Sequence, residues 1–129
     1  MVDAQANKAV VRRLVDEVIN RGRLEVIDEL FVPERAVQAQ RWIAPFRRSF
    51  PDVHMHVISL VAEDDEVAGR FTCSGTHRGP WLGHHPTGRR FIDVAEVYFF
   101  RLRAGRIAES WGLEDNVSRL LQLGLEVES

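Results

Sequence analysis

Few side chains in this sequence combine a reactive type with a suggestive position. Asp115 stands directly before a helical stretch running from Val117 to Leu123. Aspartate at such a place is a favoured N-cap, and on spacing alone capping is the stronger reading. Asn116 caps a helix equally well, and if it does so, Asp115 is free to act as a general acid or base. His77 falls at the expected end of a strand beside a loop rich in Gly and Pro. That place suits proton shuttling, a hydrogen bond to a substrate oxygen, or a structural role. His84 and His85 follow in the loop, but with His77 they match no standard metal spacing, and no metal is expected. Arg70, Asp93 and Glu96 are charges inside strands that otherwise read as buried, so they call for partners. Trp111 is in phase with Leu113 and Asp115, either as a core residue or as a stacking surface. Glu109 shares that phase, which calls for a bulge or a rim position. Phe99 adds aromatic surface for an apolar substrate. Trp81, in the loop, is placed either to cover a pocket or to meet a second copy of the chain.

These residues must be positioned by helices first and strands second, which is the order of an α+β fold. Val11, Leu14, Val15, Val18 and Ile19 recur at helical spacing, giving an amphipathic helix from Asp3 or Asn7 to Arg21, with Gly22 as its cap. A second short helix carries Leu24, Ile27, Leu30 and Phe31 and stops at Pro33. A third carries Val37, Trp42, Ile43 and Phe46, with a kink or fresh start expected near Ala44 because of Pro45. From Val53 the pattern alternates, setting His54 and His56 on a solvated or dimer-facing side. Strands are expected over 66–77, 91–103 and 106–113, joined by short turns at Asp64-Asp65 and Ala104-Gly105, hence antiparallel. The apolar run of the third strand reads as buried on both faces.

Composition narrows the function further. The 129 residues fit a single domain over 1–129, with 45% hydrophobic and 28% charged residues. A formal net charge of −2 gives no field that would gather nucleic acid or acidic membrane. Cys73 is the only cysteine, so no intrachain disulfide is available, and it reads as a small buried apolar group in a reducing compartment. No signal peptide or membrane span is evident, and a cytoplasmic location is expected. There is no Gly-rich phosphate loop, no nucleophile elbow and no HExxH, so no nucleotide, flavin or haem is expected.

Several short stretches occur together in a telling order. They are Phe50-Pro51-Asp52, Gly75-Thr76-His77-Arg78-Gly79, Pro86-Thr87-Gly88-Arg89-Arg90, Gly105-Arg106-Ile107, Glu109-Ser110-Trp111-Gly112-Leu113-Glu114-Asp115 and Leu120-Leu121-Gln122-Leu123-Gly124. In this order the chain resembles the SnoaL-like polyketide cyclases, a branch of the nuclear-transport-factor-2-like superfamily. The resemblance implies a cone, with N-terminal helices packed on a curved antiparallel sheet and a short C-terminal helix. It implies a pocket in the cone's mouth, a small hydrophobic or polyketide-like ligand, no cofactor, and homodimers formed through sheets. An aspartate four residues after the tryptophan is the acid/base of such cyclases, and that position is Asp115. The implied reaction is an intramolecular aldol condensation or a related isomerisation.

The chain departs from the family in two places. Phe31-Val32-Pro33-Glu34 runs almost directly into the third helix, without the polar segment that presents His or Asn to the pocket. Leu14 and Val15 stand where cyclases can present a polar aromatic group. Both changes make the pocket drier. Two other expectations remain open. One is an epoxide hydrolase or cyclic-ether-forming enzyme, in which Arg70 is flanked by Asp93 and Asp115. The other is a non-catalytic ligand-binding or dimerising module in which Asp115 is only a cap.

Overall fold

The computed structural model describes residues 3–127. Asp3 caps the first helix, its carboxylate accepting from the backbone N–H groups of Gln5 and Ala6. Helix α1 (Ala4–Arg13) continues as a π-helical stretch (Leu14–Asn20). In that stretch Leu14, Val15, Val18 and Ile19 are all buried, so the apolar stripe is at its widest there. Gly22 turns the chain with a φ of +73°. A 3-10 turn (Leu24–Val26) then leads into the short α2 (Ile27–Leu30).

Pro33 does more than stop a helix: it opens the next one, α3 (Pro33–Ser49), where its missing N–H is not needed. The expected break near Ala44 does not occur, and α3 runs through Pro45. The carbonyl that Pro45 leaves without a helical donor belongs to Arg41, an exposed residue, so water can satisfy it.

Four strands follow: β1 (His54–Glu63), β2 (Glu66–Thr76), β3 (Arg90–Arg103) and β4 (Arg106–Glu114). They form one antiparallel sheet in the order β1-β2-β3-β4. The sheet curves around the helices, and its inner face contributes Met55, Phe71, Val94, Tyr98 and Phe100 to a core shared with Val11, Val15, Ile27 and Ile43. Strand β3 is buried on one face only. Phe91, Val94, Glu96, Tyr98, Phe100 and Leu102 face inward, while Ile92 and Phe99 are exposed. Its apolar run therefore reflects two differently covered faces. Bulges interrupt the register between Val57 and Ser59, between Cys73 and Gly75, and between Arg101 and Leu102. The last of these re-aims the far half of β4. A final helix, α4 (Asn116–Gln122), ends at Gly124 with a φ of +75°. No described helix is long and apolar enough to cross a membrane.

Two attachments fix where the cone opens. Val32 N–H donates to the Ile107 carbonyl at 3.0 Å and Arg35 Nε to the Ala108 carbonyl at 3.2 Å, fastening the start of α3 to β4. Toward Ser110–Glu114 a groove separates the two elements. At the opposite edge, Asn20 closes the π-helical stretch onto β1, its side chain giving a hydrogen bond to the Met55 carbonyl (2.9 Å) and taking one from Met55 N–H (2.7 Å). Replacing it leaves two half-buried backbone groups unpaired. Asn20→Ala is expected to cost about 1–3 kcal/mol and to lower the melting temperature by roughly 4–10 °C. A thermal unfolding scan with an unchanged midpoint would show that Met55 finds other partners.

Candidate functional site

The register of β3 on β4 sets Glu96 directly opposite Glu114 and Tyr98 opposite Gly112. Two carboxylates facing each other across a sheet repel, so something must hold them there. Tyr98 supplies part of the answer. Its hydroxyl lies 2.9 Å from Glu114 Oε1 and 3.3 Å from Glu96 Oε1. The ring reaches that point only because its cross-strand partner is glycine. A Cβ on residue 112 would lie 2.1 Å from Tyr98 Cδ1.

Arg119 supplies the rest. It lies on α4 and is fully buried, with Nη2 donating to Glu96 Oε2 and Nη1 donating to Asn116 Oδ1. Its guanidinium carbon lies 4.7 Å from the centroid of Phe91, 5.3 Å from Phe46 and 5.9 Å from Trp81. Three ring faces thus surround a cation that water does not reach. Removing one partner of a buried pair of this kind costs about 3–5 kcal/mol. Even so, Arg119 does not make Glu96 an ordinary carboxylate. Burial first, and the nearby Glu114 charge second, push the Glu96 carboxyl up to about 7, against the opposing pull of Arg119. Burial likewise raises the Tyr98 phenol and pushes the Cys73 thiol up to about 12, so that thiol stays protonated at neutral pH.

The cluster is reached from the groove, because the interior is nearly full. The inner cavity beside Cys73, Glu96 and Tyr98 holds only about 20 Å³, room for a single water. Outside it, a groove of about 450 Å³ runs between Trp42 of α3 and the edge of β4, with Tyr98, Gly112 and Glu114 along it and Trp111 beside it. A second groove of about 360 Å³, bordered by Trp81, approaches Glu114 from the other side of Trp42. Trp42 packs edge-on against Tyr98, with ring centroids 5.7 Å apart. Glu114 is therefore open to a ligand, while Glu96, only 2% exposed, sits behind Tyr98.

The residues singled out from the sequence are dispersed around this centre. Asp115 is the N-cap of α4, exposed, with Oδ1 accepting from Ser118 N–H at 3.0 Å. Asn116 does not take the cap; it is the first residue of the helix and turns its amide oxygen to Arg119. His77 is fully buried behind Phe50, 5.6 Å between ring centroids, and borders neither groove. Its Nδ1 accepts from Thr87 N–H at 3.1 Å, which ties down the following loop, while its Nε2 finds no partner among the described residues. Burial lowers its pKa, so the ring is neutral at ordinary pH. Trp81 does border the second groove and packs on Phe50 and Arg119. Trp111 is 59% exposed at the sheet edge, where one groove passes and Phe99 lies 5.7 Å away on the outer face.

Three expectations need correction. Phe99, 46% exposed, belongs to the outer face because it alternates with the inward Tyr98 and Phe100. Arg70 is exposed on that same face, between Ser59 and Val97 in register. Asp93 is exposed at the β3 bulge with a φ of +52°, its N–H donating to Ser74 Oγ. Among the described residues no ion pair joins Arg70 to Asp93 or Asp115, so the arginine-and-two-acids arrangement expected of them is not assembled. Of the buried strand charges foreseen, only Glu96 is inside. Sequence reasoning missed Glu114, Tyr98, Trp42 and Arg119. Alternation of Glu96 and Tyr98 with Val94 and Phe100 was the available signal for one face, and the spacing of Asn116, Arg119 and Leu123 for the other.

Comparison with known proteins gives this geometry a context. The profile of the SnoaL-like polyketide cyclases matches residues 9–123. Aklanonic acid methyl ester cyclase DauD from Streptomyces sp. (strain C5) is 28% identical over 116 residues, covering 89% of this chain and 70% of that protein. Among solved structures, AclR from Streptomyces galilaeus, a proposed hydroxylase, superposes with a TM-score of 0.84 at 27% identity, over 95% of this chain and 83% of AclR. IdmH from Streptomyces antibioticus, a proposed polyketide cyclase, gives 0.81 at 29% identity, over 92% and 99%. With the profile spanning nearly the whole fold, from the first helix to Leu123, this chain belongs to the SnoaL-like polyketide cyclase family.

Proposed function

We propose that this protein is an acid/base catalyst, without cofactor, of ring closure in an apolar carbonyl compound, and that Glu114 is its working carboxylate. The observation that carries the reading is the Glu114–Tyr98 pair, 2.9 Å apart, in a groove walled by Trp42 and Trp111. A groove of this volume is within the usual range for a small-molecule site. Its aromatic walls suit a flat, apolar substrate. In the aldol reaction the Glu114 carboxylate takes a proton from a carbon between two carbonyls. The C–H electron pair moves into the enolate, and the enolate carbon bonds to a second carbonyl carbon of the same molecule. The alkoxide so formed recovers the proton from Glu114. Holding both reacting ends in one groove supplies the orientation that such a closure needs. Asp115, in this reading, secures the start of α4 and thereby Arg119.

Pairing of two copies belongs to the same proposal. Val61, Phe99 and Leu113 are exposed on the outer sheet face, an apolar area of the kind that marks an interface. A second copy of the sheet is its occupant.

Aklanonic acid methyl ester, the compound named for the Streptomyces relative, is the first substrate to assay. Turnover should fall by about 100-fold or more in Glu114→Gln, while Asp115→Asn, which keeps a good cap, should stay within a few-fold of wild type. Collapse in Asp115→Asn with full activity in Glu114→Gln would move the role to Asp115. No ring closure by the wild-type protein would remove this reading for that substrate. For the pairing, sedimentation should give a dimer for the wild type and a monomer with unchanged circular dichroism for Phe99→Arg. A wild-type monomer would refute it.

A further inference from the structure

Glu96 lies behind the Glu114–Tyr98 pair, and the ring-closure reading gives it no part. The Tyr98 hydroxyl bridges the two carboxylates, 3.3 Å from Glu96 Oε1 and 2.9 Å from Glu114 Oε1. The Tyr98 hydroxyl has one proton to donate, and the shorter contact assigns it to Glu114. The contact to Glu96 is then satisfied only if Glu96 is protonated and donates to the phenol oxygen. Glu96 has an oxygen free for that proton, since Oε2 is taken by Arg119.

We propose that Tyr98 is a proton relay between Glu96 and Glu114, and that Glu96, held by Arg119, is a positioning residue that sets whether Glu114 is ready as base or as acid. This rests on the assignment of Glu114 as the working carboxylate. In one form Glu96 carries the proton and Glu114 is the base. In the other, the Glu96 O–H bond breaks as an O–H bond forms on the Tyr98 oxygen. The original Tyr98 O–H bond breaks at the same time, and its proton bonds to Glu114. Glu114 is then an acid, and the negative charge rests on Glu96 beside Arg119. No charge enters or leaves the cluster and no co-reactant is needed.

The surroundings favour one shared proton. Two carboxylates and one arginine leave a net charge of −1, with Glu96 and Arg119 buried and Glu114 at the groove, and a proton shared between the carboxylates removes it. The titratable groups that face Glu96 are Arg119 from α4, Glu114 from β4, Tyr98 on its own strand and Cys73 from β2. Arg47 of α3 borders the same inner cavity, but its guanidinium is engaged with the carbonyls of Ile19 and Asn20. With the Glu96 carboxyl pushed up to about 7 by burial, the shared proton stays on the cluster as pH falls through the neutral range. Phe46, Phe91 and Trp81 fix the guanidinium by packing, so the Glu96 end of the relay is the rigid one.

The test is a titration of carbon-13-labelled glutamate side chains by NMR in the full-length protein, with no ligand required. In wild type the Glu96 carboxyl should titrate near 7, and the Glu114 signal should carry an inflection at that same midpoint. Tyr98→Phe keeps the ring against Trp42 and Phe71 and removes only the hydroxyl; it should abolish the Glu114 inflection while Glu96 still titrates. Glu96→Gln, whose amide can accept from Arg119 and donate to Tyr98, should abolish it too and keep the fold. An inflection that persists in Tyr98→Phe is through-space electrostatics and overturns the relay. Absence of any inflection in wild type overturns it as well. Because the readout needs no turnover, it separates the two ideas. An intact relay with an active Glu114→Gln variant sinks the catalytic assignment alone. A missing relay with an inactive Glu114→Gln variant sinks the relay alone.

Discussion

Two glutamates placed opposite each other on the inner face of an antiparallel pair are the constraint on which this site depends. The register that aligns Phe100 with Ser110 and Val97 with Leu113 leaves Glu96 no option but to face Glu114. Like charges opposite each other destabilise a sheet, and burial of one of them raises the cost. The fold answers with a phenol between them and a guanidinium behind one of them. Each answer makes its own demand. The phenol needs a glycine at 112 for its ring, and the guanidinium needs a helix to bring it in and aromatic rings to enclose it.

Seen this way, α4 is part of the site although it contributes no group to the groove floor. Asp115 starts the helix, Asn116 and Glu96 hold the Arg119 head, and Leu123 is buried at the far end. Arg119 is one residue before the apolar Leu120-Leu121 pair, yet it is Arg119 that turns inward and Leu121 that is exposed. A buried arginine is tolerated here because Nη1 meets Asn116, Nη2 meets Glu96 and its faces meet Phe46, Phe91 and Trp81, although Nε finds no partner among the described residues. His77 contributes at one remove. By binding Thr87 N–H it steadies the loop that carries Trp81, one wall of that enclosure.

The elements were legible in the sequence because local pattern governs them. Helical spacing of Val11 to Ile19, turns at Asp64-Asp65 and Ala104-Gly105, and the order of short motifs gave helices, hairpins and fold family. What local pattern does not contain is which face of a strand the curvature turns inward. Strand β3 is apolar on both sides, so Phe99 and Tyr98 look alike in sequence, and only the helices packed on one side separate them. Bulges compound this: the one near Asp93 shifts phase within a strand, so Arg70 and Asp93 could be paired on paper while lying apart on the exposed face. Pro45 misled for a related reason, since its cost depends on whether the freed carbonyl is buried, and at Arg41 it is not.

Asp115 and Glu114 differ by one residue, and the difference separates two sides of the chain end. At the close of β4 the side chain of Glu114 follows the inward alternation to Tyr98, whereas Asp115 leaves the strand and bends back to Ser118. A carboxylate tied to its own helix start is held by a local hydrogen bond and turned away from the groove residues. A carboxylate hydrogen-bonded to a phenol, and through it to a buried acid, is held in place by the whole cluster. Acid/base chemistry on carbon needs a group whose proton affinity the protein can shape. An open groove is no obstacle when the nucleophile and the electrophile belong to the same molecule, because the bound geometry, rather than the exclusion of competitors, supplies most of the advantage. The two neighbouring carboxylates therefore differ in what holds them: a helix start for Asp115, and for Glu114 a phenol at the groove.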